Sequence, residues 1–487
     1  MEDKLIIDFA AGAVGVDLNA DIVIIGSGIA GLVIAREMAA SGKQVLVLES
    51  GDISKSLAAD AAAKGLTHII KPDGEVLQQD HYLHESRQFA FGGAANKWGG
   101  KCAIMDPVDF KARSYMPMSG WPVDYQTLVP HVEKACRDMQ IPTLTKADDW
   151  ARADFSINNR YNFESSIRTF TPLTGEDTGS DYDRFKRGIA TRPNIRMLIN
   201  ATVKEIVTNR SGDKHIDYVC IESADGEQHQ VSGTTFILAA GGLENVRLLL
   251  SSNRQFPQGL GNDHGLVGRY FCGHAIFRLP SSVPGRQAGL CLPLAKDSLL
   301  LKEYVNKDSS TPHKLFKLSE NAQRRKKLPN GTITLERRLE SDGQVFYPAF
   351  FMLEQQLTEQ SYVSLLPPVN GHSALQLHWH FSRQDVINLQ AMLALFDADL
   401  QKSELGYLDY VFDETALFKY MTLASHHMGT TRMSDQPDKG VVDQYCRLHG
   451  SDNLYIASTS VFCTSALANP TITLLALCHR ICTHIKD

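Results

Sequence analysis

The 487-residue sequence contains no apolar run of 18 residues, so nothing in it is long enough to cross a bilayer as a helix. It has no surplus of basic residues: 49 Lys and Arg against 55 Asp and Glu leave a net charge of −6, which argues against nucleic acid as the main partner. The opening MEDKLIIDFAAGAVGVDLNADIVIIGSG lacks a basic n-region, a small-residue cleavage site and a twin arginine, so a cytoplasmic location is expected. Cysteines are sparse, nine in all and scattered, the pattern of reduced thiols and not of a disulfide framework. Cys478, His479 and Cys482 fall on an apolar stretch with helical spacing and read as core, so no metal site is expected. What is present is an ordinary globular composition, 43% hydrophobic and 21% charged, in a chain long enough for two or three domains.

Residues 21–51 read DIVIIGSGIAGLVIAREMAASGKQVLVLESG. The apolar run Asp21 to Ile25 predicts a buried parallel strand, the pattern through Ser41 a helix, and Gln44 to Leu48 a second strand ending in Glu49. Between strand and helix lies Gly26-Ser27-Gly28-Ile29-Ala30-Gly31. Gly26 permits the tight turn, Gly28 lets the backbone approach a pyrophosphate, and Gly31 lets helix and strand pack closely. The helix N-terminus offers free N–H groups to phosphate oxygens. Glu49 can accept hydrogen bonds from ribose hydroxyls and would repel a 2′-phosphate, which disfavours NADP. A dinucleotide site follows from this strand, helix, strand and acidic order. The fingerprint by itself leaves NAD and FAD open.

Further blocks narrow the choice. They are RQFAFGGAANKWGGKCAIMDPVDF at 87–110, Ser119-Gly120-Trp121-Pro122, TFILAAGGLENVRLLL at 235–250, GLGNDHGLVGRYFCGH at 259–274, and the C-terminal run from SHHMGTTRM onward. Together these resemble the glucose-methanol-choline (GMC) oxidoreductases, most closely the bacterial members related to pyranose 2-oxidase and the flavoprotein sugar dehydrogenases. The resemblance implies an α/β fold, α+β overall: a Rossmann-like FAD-binding domain with an interleaved substrate domain on a mainly antiparallel sheet. The FAD domain would comprise 1–115, 185–275 and 420–487, and the substrate domain 116–184 and 276–419. In the latter, the run Leu375 to Phe381 alternates in polarity like a strand, and Arg324 to Lys327 reads as a solvated helix end.

The same resemblance assigns roles. Gly92, Gly93 and Asn96 would run along the flavin, with Trp98 beside them, and the backbone of Val203 would meet adenine. Ser27, Ala30 and Ser50 join the first βαβ unit's contacts; Ala240 and Gly241 join from the third block, and Ser460, Pro470 and Thr471 from the C-terminus. Glu244 and Arg247 would hold the FAD domain together. Lys97 stands where covalently flavinylated relatives carry the flavin-linking histidine, which implies non-covalent FAD.

Oxidising an alcohol requires that the hydroxyl proton pass to a base while the carbinol hydride passes to flavin N5. A histidine suits the base, and a second polar group steadies the developing alkoxide. His426, three residues before Gly429, matches the family's catalytic histidine, and Asn469 matches the second member. His427 adjoins His426, and on an extended chain only one of the two can face the flavin. Asn469 followed by Pro470 at the first helical position also reads as a helix start. His274 reads as structural. Ser458 replaces a common aspartate of the family and Cys463 a proline. The expected activity is oxidation of a CH–OH group on a sugar, glycoside, amino-sugar product or other polyhydroxylated substrate, with oxygen, a quinone or a redox protein as electron acceptor. A non-redox lyase of the same family, a simple-alcohol oxidase and a flavoprotein without catalysis are the competing readings.

Overall fold

The computed structural model describes residues 6–9, 17–53, 64–143, 162–174, 180–209, 213–223, 226–291, 313–336, 338–339, 345–368, 373–404 and 406–486. Residues 1–5 and 10–16, part of the opening read above for an export signal, lie outside the described residues.

The first expected unit forms as a strand Asn19–Ile25, a helix Ile29–Ala40 and a strand Val45–Leu48. The strands pair in parallel, Ile22 with Val45 through Ile25 with Leu48, and both are buried along their apolar lengths. Continuous apolar runs such as VLVL are what a strand covered on both faces requires. These two strands lie within an eight-stranded sheet. Its parallel members also include Ile6–Asp8, Ile195–Ile199, the C-terminal half of Gln228–Leu238, and Leu454–Ile456. Thr202–Thr208 and Ile216–Glu222 extend it as an antiparallel meander. This is the Rossmann-like sheet that the fold expectation called for.

A second sheet of ten strands is antiparallel in its pairings, with Val345–Leu353 at its centre flanked by Gly331–Leu335 and Gly289–Cys291. A third sheet of four strands joins distant parts of the chain. There Leu375–His380 pairs in parallel with Gly65–Ile70, and its residues alternate between buried and half-buried as the sequence pattern predicts. Leu377 and Trp379 face the core, while His378 and His380 lie on the outer face. Arg324, Arg325 and Lys326 form the exposed last turn of the helix Glu320–Lys326, with Arg324 paired to Glu320 at 2.5 Å.

The C-terminal helix Thr471–Lys486 packs on the helices Ile29–Ala40 and Tyr125–Asp138. His479 reaches Asp138 at 2.8 Å, and Cys478 and Cys482 are buried on the same helix. Burial pushes the thiol of Cys482 up to about 12. The helix begins one residue later than expected. The carbonyl of Pro470 accepts from the N–H of Leu474, so Pro470 caps the helix from outside and Thr471 is its first residue. Asn469 is therefore one step further out, and its carbonyl is not committed to the helix's first turn. Among the described residues no helix is long and apolar enough to cross a membrane.

Candidate functional site

Four chain segments leave the carboxyl ends of neighbouring parallel strands and line one cleft: Gly26 with Gly28 to Ala30, Glu49 and Ser50, Ala239 to Glu244, and Ala457 to Thr459. Ligands of open parallel sheets bind at this edge because the loops there diverge and helix N-termini point into the gap. The cleft holds about 1160 Å³ of atom-free space, part of it open to solvent.

The glycine turn is built as the sequence predicts. Gly26 has φ +105°, and a Cβ there would meet the Ala239 carbonyl oxygen at 2.6 Å. A Cβ at Gly31 would lie 2.1 Å from the Gly26 oxygen, so the helix sits directly on the backbone of the turn that follows the strand. A Cβ at Gly28 or at Gly241 would meet nothing within 4 Å, and both glycines line the cleft.

Ser27 is fully buried beneath this turn. Its N–H and Oγ–H both donate to Glu49 Oε2, at 3.0 and 2.6 Å, while Gly51 N–H donates to Oε1 at 2.9 Å. Gly92 N–H in turn donates to Ser27 Oγ at 3.2 Å. Glu49 thus pins the Gly92 loop and the glycine turn to each other. Burial raises its carboxyl above the ordinary range against the pull of these donors.

The expected flavin residues divide by position. Gly26, Gly28, Ala30, Glu49, Ser50, Gly93, Val203, Ala240 and Gly241 line the cleft; Ser27, Gly31, Gly92, Asn96, Trp98, Ser460, Pro470 and Thr471 do not. Asn96 accepts from Lys186 Nζ at 3.0 Å and donates to the Phe91 carbonyl at 3.0 Å. Trp98 Nε1 donates to the Leu173 carbonyl at 2.7 Å. Ser460 Oγ accepts from Thr431 Oγ1 at 2.6 Å. Lys97 is exposed and its Nζ donates to the Arg87 carbonyl at 3.2 Å.

Three charged residues on the cleft wall form one buried network. Glu244 is shared between Arg87 and Arg247, the latter at 2.6 Å. Glu244 thus faces two guanidinium groups, and the two arginines hold its carboxyl below its ordinary range despite burial. Sequence reasoning gave Arg87 no role, although it heads the RQFAFGG block.

The two adjacent histidines part company. His427 lines the cleft, is 9% exposed, and places Nε2 3.0 Å from Ser86 Oγ. Burial, helped by nearby Arg87, lowers it to about 3. His426 does not line this cleft. It is half-buried, and its Nδ1 lies 2.9 Å from Nδ1 of His274. Asn469 is also half-buried, and its Oδ1 is inaccessible and has no hydrogen-bond partner among the described residues. Such an atom costs about 1–3 kcal/mol unless something absent from the chain satisfies it.

Residues 21–149 match the family model described as FAD dependent oxidoreductase, and residues 358–478 match that described as GMC oxidoreductase. The chain carries a GMC oxidoreductase domain. The curated relatives of this chain include 2-methyl-1,2-propanediol dehydrogenase of Mycolicibacterium austroafricanum, 23% identical over 96% of this chain and 95% of its own. They include 6'''-hydroxyparomomycin C oxidase of Streptomyces lividus, 23% identical over 94% and 89%. The fructose dehydrogenase large subunit of Gluconobacter japonicus is 22% identical over 95% and 97%. Among solved structures, pyridoxine 4-oxidase of Mesorbium loti superposes with a TM-score of 0.61 at 15% identity, covering 96% of this chain and 99% of that one. Formate oxidase superposes at 0.62, also at 15% identity, covering 96% and 98%.

The residues present fit FAD, the cofactor of this family. The open faces of Gly28 and Gly241, two helix N-termini and the guanidinium groups of Arg87 and Arg247 on the cleft wall suit a pyrophosphate. The orphaned oxygens of Gln88, on the cleft wall, and of Asn469 ask for donors that the chain does not provide.

Proposed function

We propose that this flavoenzyme oxidises a CH–OH group of a polyhydroxylated small molecule, a sugar, a glycoside or an amino-sugar product, with His426 as general base and Asn469 as its hydrogen-bonding partner. The relatives named for a diol, an aminoglycoside and fructose support the substrate class. Their being dehydrogenases and oxidases favours redox chemistry over the lyase reading. FAD, when bound, supplies the hydride acceptor.

The chain's own residues divide the remaining work. Gly26 to Ala30, Glu49, Ser50, Val203 and Gly93 would hold the cofactor, together with Arg87, Arg247 and the Gly241 helix terminus. His426 would take the hydroxyl proton and Asn469 would orient the same oxygen. The division of the chain into a flavin part (1–115, 185–275, 420–487) and a substrate part (116–184, 276–419) belongs to this proposal. With Lys97 at the linking position, FAD is held without a covalent bond. The nine free thiols support a reducing, cytoplasmic compartment.

The observation that carries the choice of His426 over His427 is electrostatic and geometric together. A general base works best with a pKa near the working pH. His427, buried and lowered to about 3, is a poor proton acceptor at neutral pH, whereas His426 is partly accessible and hydrogen-bonded through Nδ1.

The test is anaerobic absorbance of the FAD-loaded protein during addition of sugars, glycosides, aminoglycosides and simple alcohols. Bleaching of the flavin bands by a polyol supports the proposal, and readmitting air separates an oxidase from a dehydrogenase. Bleaching by none of a broad panel would count against alcohol oxidation. Acid precipitation that leaves the yellow chromophore on the protein would overturn the non-covalent assignment.

A further inference from the structure

His274 lies outside the catalytic pair proposed above, and from sequence it reads as structural. Its surroundings give it more to do. Cys272 and Met428 exchange both backbone hydrogen bonds at 3.0 Å in an antiparallel bridge. Beyond that bridge the register shifts by two: the Ala424 N–H donates to the His274 carbonyl at 2.9 Å and Ala275 pairs with Leu423, while the His426 N–H turns to the Ala424 carbonyl at 2.8 Å. The irregularity brings the two imidazoles together: they meet edge to face, at 89°, with Nδ1 of one 2.9 Å from Nδ1 of the other.

The other nitrogen of His274 faces backbone. Nε2 lies 3.0 Å from the Ser465 carbonyl oxygen and 3.1 Å from that of Ala466. Ala466 has φ +46°, a left-handed conformation that costs energy for a residue with a Cβ. This strained turn leads into Asn469, so His274 joins the two segments that carry the proposed catalytic pair.

The hydrogens follow from the partners. A carbonyl oxygen only accepts, so Nε2 of His274 bears the N–H. The ring is 1% exposed, and a buried imidazole is favoured neutral. Its Nδ1 therefore presents a lone pair. A contact of 2.9 Å between two ring nitrogens needs one hydrogen between them, and here only His426 Nδ1 can provide it.

We propose that His274 is a positioning residue that locks His426 in the Nδ1–H tautomer, leaving the lone pair on Nε2 as the atom that takes the substrate's hydroxyl proton. The inference rests on the reading of His426 as base. In the step it serves, the alcohol O–H bond breaks, the electron pair stays on oxygen, and an Nε2–H bond forms. His426 is then an imidazolium whose Nδ1–H still donates to neutral His274, a charge-assisted hydrogen bond that steadies the product of proton transfer. A partner that fixes the tautomer of a catalytic histidine in a serine protease is worth about 10⁴ in rate, so the device is of catalytic size.

The experiment is long-range proton–nitrogen NMR on FAD-loaded, oxidised protein labelled with ¹⁵N-histidine, with H426N used to assign the His426 resonances. Wild type is expected to show His426 protonated at Nδ1 and bare at Nε2. Two variants of His274 then separate positioning from structure. H274N keeps an amide oxygen near the former Nδ1 and can still accept from His426, so the tautomer is retained. H274Q keeps a donor near the former Nε2, preserving the anchor to Ser465 and Ala466, but presents no acceptor to His426, whose proton moves towards Nε2. A merely structural role predicts no change of tautomer in either variant. Finding His426 protonated at Nε2 in wild type, or an unmoved tautomer in H274Q, overturns the proposal. If H274Q fails to fold, the wild-type spectrum decides alone. The reading beneath it fails separately, by normal flavin reduction in H426A.

Discussion

Ser27 Oγ–H donates to Glu49 Oε2 at 2.6 Å from a position with no solvent exposure, under the glycine turn it stabilises. Because Ser27 N–H and Gly51 N–H also point at this carboxylate, three donors converge on one side chain. Glu49→Gln replaces one acceptor oxygen with a donor and sets it against an existing N–H. Hydrogen bonds to charged groups are worth about 1.5–3 kcal/mol each, so FAD affinity is expected to fall about 10- to 100-fold. Fluorescence titration of apoprotein with FAD reads this directly. The carboxyl is raised by burial, so it takes up a proton at a pH where an exposed glutamate is still ionised. Wild-type FAD affinity is expected to weaken as pH falls through the upper carboxylate range, and a pH-independent affinity would count against the contact with ribose hydroxyls.

The adjacent histidines are expected to fail differently. His426→Ala retains FAD and slows substrate-driven flavin reduction about 10²- to 10⁴-fold, the usual worth of a general base. His427→Ala removes a cleft wall and the partner of Ser86, so its first effect is on FAD retention. The wild-type apoprotein carries a further signature. His427 has a folded pKa of about 3 against 6.5 unfolded. Below pH 6.5 the unfolded chain takes up a proton that the fold refuses until about pH 3, so stability is lost as pH falls through that window. His427→Asn should flatten this part of the melting temperature against pH curve, and an unchanged slope would show that other groups carry it.

Gly28 and Gly31 share a motif and make opposite demands. At Gly28 an added Cβ meets nothing within 4 Å and projects towards the cleft; at Gly31 it lies 2.1 Å from a backbone oxygen. Gly28→Ala is expected to keep the apoprotein's melting temperature while lowering FAD occupancy. Gly31→Ala must move helix Ile29–Ala40 off its strand, an overpacking cost of about 1–3 kcal/mol, with cofactor loss following from the damage to the fold. Equal melting temperatures for the two apoproteins would contradict this assignment.

These glycines show what was legible beforehand. Turn geometry is a local property, so Gly26-Ser27-Gly28-Ile29-Ala30-Gly31 predicts its own conformation and the strand and helix on either side of it. The C-terminal block is recognisable for the same reason, as an unbroken run. What could not be read is set by contacts between segments far apart in the chain. Asn96 turns to Lys186 and Trp98 to Leu173, partners 90 and 75 residues away, and no local pattern announces either. Nor does any pattern pair strand Leu375–His380 with Gly65–Ile70. The helix start at Thr471 was missed by one residue because proline at N1 is the commoner arrangement, and here its carbonyl caps the helix from outside. His274 needed its ring contact with His426, 152 residues away, before it had any role beyond packing.

Arg113 and Glu354 offer a test of the fold away from the cleft. Their side chains are 3% and 0% exposed, and they form a two-pronged ion pair with N···O distances of 2.6 and 2.8 Å. The pair ties the segment that precedes Trp121 to the end of the central strand Val345–Leu353. Asp109 lies close by, and burial together with Asp106 and Glu354 pushes its carboxyl well above the ordinary range. Arg113 is thus the cation among buried carboxyl groups. Arg113→Met keeps much of the volume and removes the charge, and breaking a buried pair from one side costs about 3–5 kcal/mol. The sign of the pH dependence follows. Carboxyl groups whose folded pKa is raised hold their protons in the fold but release them on unfolding, so stability is lost as pH rises from the unfolded value through the folded one. Without Arg113, the Asp109 carboxyl loses the cation that opposes its rise and is pushed further up. The variant's deficit against wild type, measured by calorimetry, should therefore shrink towards pH 5 and widen towards pH 8. A deficit that stays constant over that range would mean that lost packing, and not the unpaired carboxylates, sets the cost.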